Sequence, residues 1–395
     1  MLKRYTDDNP ALPPFRTGET GRVFKPLVIA LWLSFLFLPF KGIKAAVLFF
    51  VIVSAFLLSW RFLARYKNTL ASSARIFGRR LSEGALFSRK SIFAIRYMSL
   101  LCLFAMPLIL EDYFLDITVL VGIYIILALG LNIVVGFAGL LNLGFVAFYA
   151  IGAYSYALLN TKFGLGFWTA LPVSVGLSTI AGFLLAVPAL RLRGDYLAIV
   201  TLGFGEITRL ILNNWDSLTK GPNGISGISV PEILSLSLET LSYFYYLVLF
   251  FVLLTFYVTK RVYASRIGRA WVAIREDEIA SSMMGINITV YKLYAFAFGA
   301  FWAGLAGTVF AAKMRFVSPE SFTFMESVLI LCMVILGGLG SIRGVVLGAF
   351  ILVLLPEMLR EIQLYRMLAL GAGLVLLMVF RPQGLFGGRG VSVRS

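Results

Sequence analysis

The chain has 395 residues, 60% of them hydrophobic and only 14% charged, and a mean hydropathy of +0.91. A soluble domain carries about 25% charged residues, so this composition excludes an ordinary water-soluble fold. The formal net charge of +16 does not point to nucleic acid. The basic residues sit in short stretches between apolar runs, where they orient membrane helices by the positive-inside rule. Histidine is absent, which removes histidine general bases, Ser-His-Asp triads and His-ligated zinc or haem. No cofactor and no metal site is expected. Cys102 and Cys332 lie inside apolar runs and read as small buried hydrophobes, not as a disulfide framework.

A membrane helix needs roughly 20 mostly apolar residues. In chain order, candidate segments cover 26–43, 45–62, 97–110, 117–135, 145–161, 167–189, 196–213, 241–259, 291–312, 326–340, 344–360 and 364–380. The expected fold class is an all-α membrane protein, a polytopic transmembrane bundle of about 10–12 helices in which the shorter segments are broken or re-entrant.

Charge sets the expected orientation. Residues 61–96 carry Arg61, Arg65, Lys67, Arg75, Arg79, Arg80, Arg89, Lys90 and Arg96 against the single acid Glu83, which assigns them to the cytoplasm. The next connection, Glu111 to Asp116, contains three acids and no base and is assigned to the outside. Alternation from there puts most of the 35 lysines and arginines, and both termini, in the cytoplasm. Lys41 and Lys44 are the exception. The domain reading is an N-terminal extension over 1–96 with two helices and a basic linker, a helical core over 97–387, and a Gly- and Arg-rich flexible tail over 388–395.

No stretch fits the G-x-x-x-x-G-K-[ST] pattern whose backbone amides cradle phosphate, so this chain does not itself bind ATP in a P-loop. No helix carries the several intramembrane carboxylates that proton-driven pumps need. Two segments, 130–153 and 334–350, each place a glycine-rich break between apolar helices, a pattern common in transporters built from repeats. In the first break Gly136, Gly139 and Gly144 weaken the helix, and Asn132 and Asn142 offer amide donors and acceptors. Two readings stand: a translocation pathway, where a zwitterion meets freed backbone groups, or tight helix packing.

Glu206 and Arg209, spaced i, i+3 in the 196–213 segment, read either as a structural ion pair or as residues acting directly in transport. Glu326 reads as an interfacial cap opening a helix. Ala300-x-x-x-Gly304 and Ala303-x-x-x-Gly307 are small-xxx-small patterns that favour close contact, within the chain or with a second one.

The loop from Lys260 to Asn287 contains one expected short helix. Glu276, Asp277 and Glu278 lie near its N-terminus, where negative charge suits the dipole. Ile279 and Met283 form an i, i+4 apolar face, and Gly285 is its C-terminal stop. Such a face needs something to cover it: another chain, the membrane surface or its own chain.

The run Arg269-Ala270-x-x-Ala273-Ile274-Arg275-Glu276-Asp277-Glu278-Ile279-Ala280, followed by Gly285, resembles the coupling loop of permeases in bacterial ABC importers. The fit to the general E-A-A-x-x-x-G form is loose, with Glu278-Ile279-Ala280 standing in its place. Three further stretches agree: 129–154, 190–212 with Thr219 to Gly224 beyond it, and Phe380 to Gly387. Together they resemble the LivM-type permeases of branched-chain amino acid importers, over about 97–387.

The resemblance implies a non-catalytic, multi-pass transport subunit of the bacterial inner membrane. Its implied partners are a second related permease subunit, two ATP-binding cassette subunits, a periplasmic substrate-binding protein, a small polar substrate and membrane lipid. It implies that Arg269, Arg275, Glu276, Glu278, Ile279, Ala280, Met283 and Gly285 form the ATPase-coupling loop. Permeases for urea and short amides share the pattern, which leaves them as an alternative. The rivals of other classes are an ion-coupled secondary carrier and a membrane enzyme, and for the latter no catalytic constellation is visible.

Overall fold

The computed structural model describes residues 103–108 and 111–358, apart from 191, 193, 234–235 and 238–239, together with 371, 375 and 384. The chain divides into two compact units, Met1–Leu100 and Leu101–Ser395, and all described residues belong to the second. The expected helices at 26–43 and 45–62, the basic 61–96 stretch and the 388–395 tail lie outside the described residues, as does nearly all of 364–380.

Helix α1 (Asp112–Leu131) runs directly into a π-helical turn, Asn132–Phe137. The acidic stretch expected as a loop before residue 117 is in fact the first turn of α1. Carboxylates are stabilised at the positive end of the helix dipole, so acids there mark a helix start as readily as a connection. After the break come α2 (Phe145–Phe163), α3 (Phe167–Ala189), α4 (Asp195–Asn214) and the short α5 (Asp216–Thr219). Then follow α6 (Leu241–Ala264), α7 (Arg266–Glu276), α8 (Glu278–Met283), α9 (Ile288–Met314), α10 (Phe324–Gly337) and α11 (Ile342–Met358).

Two 3-10 turns, Gly221–Asn223 and Pro319–Phe322, and two antiparallel ladders of two residues per strand complete the described elements. The strand β1 (Ile225–Ser226) pairs with β4 (Phe316–Val317), and β2 (Glu232–Ile233) with β3 (Leu236–Ser237). Among the described residues, four stretches are long and apolar enough to cross a membrane: Asp112–Phe137, Phe167–Ala189, Leu241–Ala264 and Ile288–Met314.

The centre of the bundle is α9 against α2 and α3, and the reason is side-chain size. Gly152 of α2 and Gly304 of α9 touch backbone to backbone, so closely that a Cβ on Gly152 would overlap the Gly304 carbonyl. Ser178 Oγ of α3 lies 2.9 Å from the carbonyl oxygens of both Phe148 in α2 and Ala300 in α9. Ala300, Gly304 and Gly307 therefore pack within the chain, against α3 and α2. Apolar attraction does not drive helices together in lipid, and small residues permit the close van der Waals approach that does. On the outer side of α3, Val173, Leu177, Ile180, Leu184 and Val187 form an exposed stripe at helical spacing. An apolar face of that extent suits hydrocarbon, not water.

The start of α1 and the end of α9 meet at one end of the bundle. Lys313 Nζ pairs with Asp116 at 3.0 Å, and β1 pairs with β4. Toward the opposite end, Trp271 Nε1 of α7 donates to the Tyr291 carbonyl of α9 at 2.7 Å.

Candidate functional site

The loop expected to hold one short helix holds two, meeting at Asp277. Asp277 is extended (φ −154°, ψ 113°), and its Oδ1 accepts from the amides of Ile279 (2.9 Å) and Ala280 (3.0 Å). It is thus the N-cap of α8, satisfying amides that have no intrahelical partner. Glu276, expected near the start of the short helix, instead closes the helix before it. Glu278 is the first residue of α8, as expected.

At the other end the amide of Gly285 donates to Ser282 O (3.0 Å) and that of Ile286 to Ser281 O (3.2 Å), with Gly285 at φ +81°. This is the double-bonded glycine stop that favours a left-handed residue. Between these caps only Ser281 is buried, while Ile279, Met283 and the adjoining Met284 are 63%, 81% and 82% exposed. Ala280 is exposed as well.

The helix is short but anchored. Lys292 of α9 is buried, and its Nζ donates to Glu278 Oε1 at 2.7 Å. Trp271, fully buried, fixes α7 to the same helix. Arg269 lies on the surface and donates to Ala264 O, the last carbonyl of α6. Arg275 does not join the outward face of α8: its Nη1 donates to Gly136 O at 2.5 Å.

That bond leads into the glycine-rich break. α1 ends in a π-helical turn, a local widening frequent at functional positions. Asn132 Oδ1 accepts from the Gly340 amide at 3.0 Å, which joins the first glycine break to the second. Gly139 (φ +71°) lies under Arg275, and a Cβ there would stand 2.6 Å from Arg275 Cγ. Gly384 packs on Gly338, where a Cβ would stand 2.5 Å from the Gly338 Cα. Both glycine-rich breaks, the α7–α8 loop and the C-terminal motif therefore converge on one spot.

Beyond Gly139 the chain turns back into the bundle before α2 begins. The Gly144 amide donates to Asn142 Oδ1 (3.0 Å), the Leu143 amide to Thr201 Oγ1 (3.0 Å) and the Val146 amide to Ser327 Oγ (3.1 Å). Gly144 sits so close to Thr201 that a Cβ would collide with its carbonyl oxygen. The carboxamide NH2 groups of Asn132 and Asn142 are buried and have no partner among the described residues.

Glu326, expected as an interfacial cap, is not one. Thr323 holds the N-cap position of α10, and Glu326 Oε2 instead accepts from Tyr124 at 2.8 Å. Tyr124 lies halfway along Asp112–Phe137, so α10 starts at mid-depth and is a half-helix of about 21 Å. The segment before it is re-entrant, which is why α10 has only 14 residues.

Two helices, α2 and α10, thus begin inside the bundle and face one narrow cleft. Leu143, Val146, Gly205, Glu206, Thr323 and Ser327 line it, and it has room for about one water. Glu206 Oε2 receives both Nε and Nη2 of Arg209 at 3.0 Å, and both side chains are half-buried.

The structure therefore brings Asn132, Gly136, Gly139 and Arg275 together at the end of α1, and Asn142, Gly144 and Glu206 around the cleft. It leaves Ile279, Ala280 and Met283 facing outward. Sequence reasoning missed Lys292, Thr201, Ser327 and Tyr124. For Lys292 a signal exists, because it is a lone cation at the start of an otherwise apolar segment. For Thr201, Ser327 and Tyr124 none does.

Apolar helices of membrane length, two broken helices with buried starts and an anchored helix with an apolar outer face describe a multi-pass membrane transport component. Residues 113–380 match the family described as "Branched-chain amino acid transport system / permease component". The chain belongs to that family. It is 50% identical over 304 residues to the high-affinity branched-chain amino acid transport system permease protein LivM of Salmonella typhimurium, covering 71% of this chain and 72% of that one. It is 27% identical to the probable branched-chain amino acid transport permease protein LivM of Methanocaldococcus jannaschii, covering 67% and 90%. A differently named permease, LivH of Salmonella typhimurium, is 28% identical over 284 residues, covering 67% and 91%. No solved structure matches the chain.

Proposed function

We propose that this chain is a permease subunit of an ATP-driven, binding-protein-dependent importer that carries branched-chain amino acids across the bacterial inner membrane. The names of its relatives support the substrate class. The match to both LivM and LivH supports a second, related permease beside it. Two ATP-binding cassette subunits supply the energy, and a periplasmic binding protein delivers the substrate. The permease itself breaks no covalent bond. Both termini and the α7–α8 loop lie in the cytoplasm.

The observation that carries the coupling is α8: a helix capped at both ends and pinned by Lys292, whose Ile279 and Met283, with the adjoining Met284, stay largely exposed among the described residues. It suits insertion into a cleft of an ATP-binding subunit. The pathway follows the breaks. Helix N-termini carry partial positive charge, and the starts of α2 and α10 suit a substrate carboxylate, while Glu206 suits the ammonium group. The free carboxamides of Asn132 and Asn142 add donors along the way. The cleft is closed in this conformation, so transport requires the break to open.

The test is uptake in vesicles holding the complete set of subunits. Leucine uptake should require ATP, survive collapse of ion gradients, and be competed by isoleucine and valine but not by urea or acetamide. Competition by urea would favour the amide permeases instead. Uptake that survives ATP depletion and collapses with the ion gradient would make the chain an ion-coupled carrier.

A further inference from the structure

We propose that Arg275 is a positioning residue that transmits movement of the α7–α8 pair to the broken end of α1, through its bond to the Gly136 carbonyl. The inference rests on the importer reading above and assigns a route to its coupling. Arg275 stands two residues before the Asp277 cap; its partly exposed side chain reaches back to Gly136, with Nη2 3.7 Å from Glu276 Oε1, while the docking side chains Ile279 and Met283 stand beyond it and point outward.

The partner is chemically specific. Gly136 lies in the last turn of the π-helical segment, where carbonyls lack intrahelical donors and the dipole is negative. A guanidinium there makes a charge-assisted bond. The same Nη1 would lie 3.2 Å from a Cβ on Gly340, and the Gly340 amide is itself held by Asn132 Oδ1. Arg275 therefore bonds the first glycine break and lies beside the second.

Each break leads to the mid-bundle cleft. The first runs through Asn142 and Gly144 into the start of α2. The second follows α10, the half-helix whose other end carries Ser327 at the cleft. Helix α7, fixed by Trp271 and bonded through one side chain to the first break, which Asn132 joins to the second, gives a contiguous route from the docking helix to the cleft. Lysine at this position would keep the charge but lose the planar fork whose Nη1 bonds the Gly136 carbonyl while Nη2 stands 3.7 Å from Glu276 Oε1.

The test uses the complete importer in proteoliposomes, comparing wild type with Arg275→Gln, Arg275→Lys and Gly139→Ala. The last leaves the arginine in place but drives a methyl group against its Cγ. Copurification of the ATP-binding subunits and their hydrolysis rate should stay within about twofold of wild type. Leucine transported per ATP should fall by about tenfold or more in Arg275→Gln, the size expected for a lost charge-assisted bond. Arg275→Lys and Gly139→Ala should fall in between.

Abundance in the membrane and a single gel-filtration peak establish folding. If Arg275→Gln fails there, the other two variants carry the test. Undiminished transport per ATP in the folded variants would overturn the proposal. So would loss of ATPase association in step with transport, because Arg275 would then be a docking or folding residue. A wild-type importer without ATP-driven uptake would instead overturn the functional reading on which the proposal stands.

Discussion

Helices α8 and α9 are neighbours in sequence, separated only by residues 284–287, yet they use apolar side chains in opposite ways. α9 runs for 27 residues, and 83% of its most apolar window is buried against the rest of the chain. α8 runs for six, buries only Ser281 and turns Ile279 and Met283 outward. The apolar surface of α9 is consumed by the fold. That of α8 is not, although Asp277, Lys292 and Gly285 all act to hold the helix in shape. The contrast separates two kinds of defect. Damage to α9 and its neighbours should remove the protein, whereas damage to α8 should leave an intact protein that no longer works.

The largest effect is expected at the α2–α9 crossing. Gly152→Leu drives a side chain into the Gly304 backbone, which cannot rotate away. The cost belongs at or above the top of the ~1–3 kcal/mol range for overpacking. Detergent-extracted yield and thermal unfolding should both drop sharply. Next comes Ile279→Asp with Met283→Asp, which leaves membrane insertion and yield unchanged. Docking such a face would bury two unpaired charges at several kcal/mol, so ATP-dependent uptake should be abolished. Normal yield with normal uptake would erase the contrast between the two helices.

Smaller effects concern the supports of α8. Glu278→Gln leaves the buried Lys292 ammonium without its charge partner, at about 1–3 kcal/mol. Adding Lys292→Met removes the unpaired charge, so the double variant should recover much of the loss. Hydrogen exchange of the α8 amides, faster in the single variant than in the double, measures this directly. Gly285→Val forces a β-branched residue to φ +81°, at about 1–2 kcal/mol. The expected result is reduced uptake at normal yield. The smallest effect belongs to Glu206 and Arg209, both half-buried. If they serve only as a pair, exchanging the two residues should restore most of the uptake that Arg209→Gln alone loses. A folded but inactive exchange variant would give Glu206 a direct part in transport.

The helices were legible where an apolar run ends at a residue that stops it. Segment 167–189 matches α3 residue for residue, with Gly166 before it, and the expected 145–161 and 291–312 lie within α2 and α9. Reading failed where local chemistry serves two purposes. Acids at Glu111–Asp116 suit a loop and also a helix start, and the structure uses them as the latter. Asp277 sits inside a helical pattern yet caps a new helix. Glu326 resembles a cap, but the re-entrant segment before it carries the start of α10 to the level of Tyr124. The glycines and asparagines of the break stood out in the sequence because they are out of place in an apolar run. Their contacts did not, because Arg275 and Gly136 are 139 residues apart and periodicity carries no information about such distances.

The central claim is that the outward face of α8 is the seat of an ATP-binding partner. A photo-crosslinking residue at position 283, in tagged permease coexpressed with the proposed ATP-binding and second permease subunits, tests it most directly. The claim predicts one dominant adduct with an ATP-binding subunit, lost when Ile279→Asp is added and absent when the probe is moved to the lipid-facing position 180. An adduct confined to lipid or to the permease itself, with ATP-driven uptake intact, would contradict it.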